Sequence, residues 1–175
     1  MTATILDHDW WPVPVPGNVT IGERSWLYSS YAFLHYASRR PAGVAIGSDT
    51  GVYIGTMFDL GPDGECVIGD FGTIVGPTIS TNARVAIGDF AFVSYHVTIA
   101  DSPYAAPPGS YPPRDSAGGD VVIGDNVWIG VRATIAGPVS VGEGAVIGAA
   151  TYVDFDVPPF AIVAGHPSKV VGWAR

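Results

Sequence analysis

Residues 121–153 read VVIGDNVWIGVRATIAGPVSVGEGAVIGAATYV. Ile123, Ile129, Ile135, Val141, Ile147 and Val153 follow one another here at intervals of six residues. A small or branched residue stands two places before the later anchors: Val127, Ala133, Val139, Ala145 and Thr151. Neither the 3.6-residue period of a helix nor the alternation of a long strand gives that pattern. Six residues hold one short strand and one turn, and three such units close a triangular coil of about 18 residues. The anchor side chains then point inward and stack from coil to coil. Gly after an anchor suits a corner where a Cβ is crowded. Asn and Asp near the corners tolerate left-handed backbone. The stretch therefore predicts a parallel β-helix built of hexapeptide repeats.

The same period extends toward the N-terminus. Coil one takes Ile21, Leu27 and Phe33 as anchors; coil two takes Ile46, Val52 and Phe58, with Ile54-Gly55 offering a competing register. Coil three takes Ile68, Ile74 and, weakly, Ser80, and coil four takes Ile87, Val93 and Ile99. Extra residues fall only after third anchors, so all insertions leave from one corner of the prism. The longest is ADSPYAAPPGSYPPRDSAGGD, residues 100–120. The expected organisation is an extended arm over 1–17, a β-helix of about six coils over 18–153, and a tail over 154–175. At the strand spacing of about 4.8 Å, six coils make a prism roughly 29 Å tall.

Composition agrees and excludes other classes. The chain has 175 residues, with 22 Val and 14 Ile against 4 Leu. That skew favours strands over helices. No apolar run approaches the ~18 residues of a membrane span, so no membrane association is expected. The net charge is −8, and Lys169 is the sole lysine. No basic stripe exists to meet a nucleic-acid backbone. One cysteine, Cys66, precludes an intrachain disulfide and every multi-cysteine metal site. The N-terminus shows no basic segment followed by an apolar run, and a cytoplasmic location is the expectation.

The run IGDNVWIG at 123–130 and the ending DVPPFAIVAGHPSKV at 156–170 resemble the hexapeptide-repeat acyltransferases, in the branch of the maltose, galactoside and xenobiotic acetyltransferases. The resemblance implies a left-handed β-helix, a homotrimer with active sites between neighbouring prisms, and acyl transfer from acetyl-CoA to a small acceptor. No metal is expected. Carried onto this sequence, it places pantetheine against the backbone of Val131 and Ala149, Lys169 near the CoA phosphates, and Trp128 beside the active site. The Thr-Lys expected after the last coil is Asp154-Phe155 here, and the Asn of the following turn is His166.

Transfer to a hydroxyl needs a general base. The resemblance expects a loop His five residues after the third anchor of coil four, where this chain has Tyr104. The loop holds no His. His8 lies on the arm and is expected to be solvated, His35 is coils away, and His166 sits in the C-terminal turn. His96, three before Ile99 as Asn126 is three before Ile129, is either a displaced base or a plain corner residue. Asp101 is either a carboxyl that orients an attacking amine, as a related group of amino-sugar N-acetyltransferases suggests, or a turn residue at the loop entrance. Asn82 lies one coil below it, and Asn82 and Tyr104 are the candidate acceptor contacts. The main expectation is thus an acyl-CoA-dependent N- or O-acyltransferase. A non-catalytic β-helix scaffold is the alternative, and a zinc enzyme of the γ-carbonic anhydrase type needs three His around the metal, a weaker match.

Overall fold

The computed structural model describes residues 4–102 and 119–174. They form a left-handed parallel β-helix of about six turns. Its three faces are sheets of six, seven and five parallel strands, the second extended to eight by one antiparallel strand at its C-terminal edge.

On the first face, Ile21, Ile46, Ile68, Ile87, Ile123 and Val141 pair in register. On the second, Leu27, Val52, Ile74, Val93, Ile129, Ile147 and Val163 do so. The third face stacks Phe58, Ile79, Ile99, Ile135 and Val153. Nearly all these side chains are buried in one continuous core. The six-residue spacing succeeds because each anchor covers its counterpart above and below. Truncating one such Ile to Ala removes about 2–5 kcal/mol.

The coil-three anchor is Ile79, not Ser80: Ile79 pairs with Phe58 below and Ile99 above. The corner after Ile74 turns through Gly76-Pro77 with Gly76 at φ +65°, and so uses one residue fewer than its neighbours. Ser80 points outward and donates to Asp59 (3.2 Å). In coil two the Val52 register holds, and Ile54 is half exposed. The third side of coil one is a short 3-10 helix, Ser30–Phe33, not a strand. Phe33 still enters the core, stacked on Phe58 at 5.1 Å.

The stacking continues past Val153. Val157 bridges to Val141, and Ala161–Gly165 runs beside Val146–Ile147. Ser168–Trp173 then folds back as a hairpin. At the other end the arm is tied down. Asp9 accepts hydrogen bonds from Ser29 Oγ (2.6 Å), Ser30 N (2.6 Å), Ser30 Oγ (2.7 Å) and Trp11 N (2.9 Å). Partial burial raises the Asp9 pKa, but these donors outweigh it and hold the carboxyl well below the usual carboxylate range. His8 is exposed, as expected, and its ring stacks on Trp26 at 4.0 Å and donates to the Leu27 carbonyl (2.9 Å).

The corners are more specific than Asx tolerance. At the corner between first and second faces, Asp70, Asp89 and Asp125 accept the backbone N–H of Ser48, Asp70 and Asp89 in the coil before (2.7, 2.7 and 2.8 Å). A Cβ on Gly47, Gly69 or Gly88 would overlap those carboxylates. The Gly of Ile-Gly-Asp is thus required by close approach. The left-handed residues come next: Phe71, Phe90, Asn126 and Phe160, all with φ of 54–59°. Such strain costs roughly 1–3 kcal/mol per residue. Each offsets it by donating its N–H to a carbonyl of the preceding coil, as Phe90 does to Asp70 (2.9 Å) and Asn126 to Asp89 (2.7 Å).

Candidate functional site

Two corners carry the candidate residues. The corner between second and third faces brings together His96 of coil four, Val131 of coil five (anchors Ile123, Ile129 and Ile135) and Ala149 of coil six (anchors Val141, Ile147 and Val153). His96 is exposed and left-handed (φ +57°), and its N–H reaches the Gly76 carbonyl at 3.1 Å. Directly above it lies Arg132 (φ +60°), whose N–H donates to Tyr95 O at 3.0 Å. Above that lies Ala150 (φ +54°), donating to the Val131 carbonyl at 2.9 Å. Val131 and Ala149 are both exposed beside this column. Lys169 continues the edge, because it pairs with Ala164 in the hairpin. Ser168 Oγ fixes that hairpin by donating to the Tyr152 carbonyl. Trp128 stands on the adjoining second face, 53% exposed, with the Phe92 ring 6.4 Å away.

Arg132 escaped the sequence reading. Its signal is positional, three residues before the Ile135 anchor, as His96 is before Ile99. Arg132 and Lys169 are exposed cations on this edge of a chain of net charge −8.

Asp101 and Asn82 lie on a different corner, between the third face and the next coil. Asp101 is 3% exposed. Its Oδ2 accepts from Thr81 Oγ1 (3.0 Å), Asn82 N (2.7 Å) and Ala83 N (3.0 Å). Asn82 Oδ1 in turn accepts from Asp63 N (3.0 Å). The two side chains are consecutive rungs that brace the insertion-bearing turns. Asp101 therefore holds the turn at the entrance of the long insertion. It is separated from His96 by the third-face strand Thr98–Ala100, about 17 Å at full extension. Within one chain the two do not share a reacting atom. Tyr104 lies outside the described residues. The Cys66 thiol is fully buried, and burial pushes its pKa up to about 12, so it is no nucleophile.

A cavity of about 400 Å³ opens low on the second-to-third-face corner, between coils one and two. It lies on the same corner as His96, lower in the prism, and the spacing of the repeat gave no sign of it.

In fold this is a β-helix of triangular hexapeptide coils. Residues 120–154 match the family model for the bacterial transferase hexapeptide (six repeats). Over 53 residues, 30% of this chain and 25% of the relative, the sequence is 53% identical to a chloramphenicol acetyltransferase of Agrobacterium fabrum. Over 101 residues it is 34% identical to the putative acetyltransferase YvoF of Bacillus subtilis, covering 58% of this chain and 55% of that protein. The chain thus spans between a quarter and about half the length of these relatives. In fold it is similar to AntD, an N-acyltransferase from Bacillus cereus solved with dTDP and 3-hydroxybutyryl-CoA, with a TM-score of 0.68, 19% identity, and coverage of 89% of this chain and 83% of that one.

Proposed function

We propose that this protein is an acyl-CoA-dependent acyltransferase. It transfers an acetyl or similar short acyl group to an amine or hydroxyl of a small, sugar-like or natural-product acceptor. One observation carries the reading. Val131, Arg132, Ala149 and Lys169 line a single exposed edge, and three of them lie in or beside the segment that matches acetyltransferases. An elongated, polyanionic thioester fits that edge: cations at the C-terminal end for phosphate, small residues and backbone along the middle for pantetheine.

His96 stands one coil beyond Val131 on the same edge. In this reading it takes the acceptor's proton while the nitrogen or oxygen bonds to the acyl carbon. The C–S bond then breaks, and CoA leaves as the thiol after taking up a proton. Asp101 acts as a positioning residue for the turn at 81–83 and for the segment leading into the loop. A homotrimer brings the third corner of one chain to the second corner of the next, so that Asn82 faces the acceptor side. The cytoplasm is the proposed location, with neither nucleic acid nor membrane as partner. Acetyl-CoA is the co-substrate, and no metal takes part.

The test is release of free CoA thiol from acetyl-CoA across a panel of amines and alcohols. His96→Ala is expected to lower kcat at least tenfold while the oligomer persists. Full activity in that variant would remove His96 from the mechanism. No thiol release with any acceptor, together with no CoA binding, would favour a non-catalytic scaffold.

A further inference from the structure

The cavity between coils one and two arises from a break in the repeat. Because the third side of coil one is the 3-10 helix Ser30–Phe33 and not a strand, the third-face sheet begins only with Met57–Leu60. A space is left between that helix and the corner at Ile54–Thr56, and Trp10 of the arm lies over it. Trp10 is packed on Tyr31 at 5.4 Å, and the arm is pinned by Asp9 through Ser29 and Ser30. Tyr28, Tyr31, Tyr53 and Met57 complete the apolar walls, and among the described residues no charged side chain lines the space. A volume of about 400 Å³ lies within the range of small-molecule sites.

We infer that this cavity is a binding site for an uncharged aromatic ring system of a small molecule. Four aromatic rings offer stacking faces, and three phenol hydroxyls supply polar contacts at the wall. A charged group would find no counter-charge there and would lose its hydration. The cavity opens on the same corner as His96, two coils lower, or about 10 Å at the strand spacing. A ligand seated by its ring can therefore extend an amine or hydroxyl toward His96. The occupant's role as acyl acceptor rests on the acyltransferase reading; the binding itself does not.

The probe is N-phenyl-1-naphthylamine, an uncharged fluorophore that brightens in apolar surroundings, titrated into the intact oligomer. One saturable site per chain is expected. Met57→Trp, which fills the space, and Tyr53→Ala, which removes a wall, are each expected to weaken binding at least tenfold with unchanged melting temperature. CoA binding, measured on the same samples, stays as in the parent protein. Absence of saturable binding, or binding that Met57→Trp does not alter, overturns the inference. Binding that appears only when the oligomer is dissociated overturns it too, since a second copy then covers the cavity. Loss of CoA binding in the parent protein would instead contradict the acyltransferase reading and leave the ring site standing on its own data.

Discussion

At the residue scale, the Ile-Gly-Asp triplet shows how a weak local signal acquires force by stacking. Gly88 leaves the space into which Asp125 of the next coil reaches, and the carboxylate accepts the Asp89 N–H. Gly88→Ala should cost at least about 2 kcal/mol, because a Cβ and a carboxylate cannot share that space. Thermal unfolding would show it as a fall of roughly 4–8 °C. Asp9 gives a pH-dependent case. Its folded pKa is held below the unfolded value of 3.8. Its stabilising contribution is therefore fully present above about pH 4 and is lost as pH falls through the lower folded value. Docking of the arm, followed through Trp10 and Trp11 fluorescence, should loosen below about pH 4 in the parent protein. In Asp9→Asn it should show no such acid transition. Asp101→Ala strips the acceptor from Asn82 N, a loss of about 1–3 kcal/mol for a group left unsatisfied, while Ala83 N keeps Thr81 Oγ1 (2.9 Å). It should lower the melting temperature and leave CoA affinity unchanged. A loss of CoA affinity equal to that of a Lys169 variant would place Asp101 in the binding edge instead.

At the scale of the element, the six-residue spacing made most of the helix legible. Isoleucine and valine anchors at fixed intervals determine face, register and direction together. Where the spacing failed, the cause was local. The corner at Gly76-Pro77 is one residue short, and a strict count of six from Ile74 passes over Ile79 and lands on Ser80. Coil one keeps Phe33 as an anchor but bends its third side into a 3-10 helix, because Ser29 caps that turn by accepting the Tyr31 N–H (3.0 Å). The candidate site was legible only as positions. His96, Val131 and Ala149 fall on one corner by counting alone. Arg132 was passed over because its cation sits at a corner otherwise read as structural. The cavity depends on the missing strand of coil one, which counting does not register. Anchor burial also predicts unequal costs. Ile129→Ala, in the middle of the stack, should lose about 2–5 kcal/mol. Ile21→Ala, half-buried in the first coil, should lose clearly less. Denaturant midpoints for the pair measure the difference.

At the scale of the whole molecule, the prism keeps its two functional corners apart. One carries the cationic edge with His96, and the other carries the insertions braced by Asp101 and Asn82. In the proposed homotrimer, association of chains brings them together, so dilution into single chains should abolish acyl transfer while preserving the fold. Gel filtration alongside activity reads that outcome, and activity in an isolated chain would contradict it.

The central claim is that the edge formed by Val131, Arg132, Ala149 and Lys169 holds an acyl-CoA. The direct measurement is thermal unfolding of the purified protein titrated with CoA and acetyl-CoA. A ligand bound only to the native state adds about 2.7 kcal/mol at 100 times its dissociation constant. The account predicts a concentration-dependent rise in melting temperature that is reduced in Arg132→Glu and Lys169→Glu. No rise up to millimolar ligand, or a rise untouched by both substitutions, would contradict it.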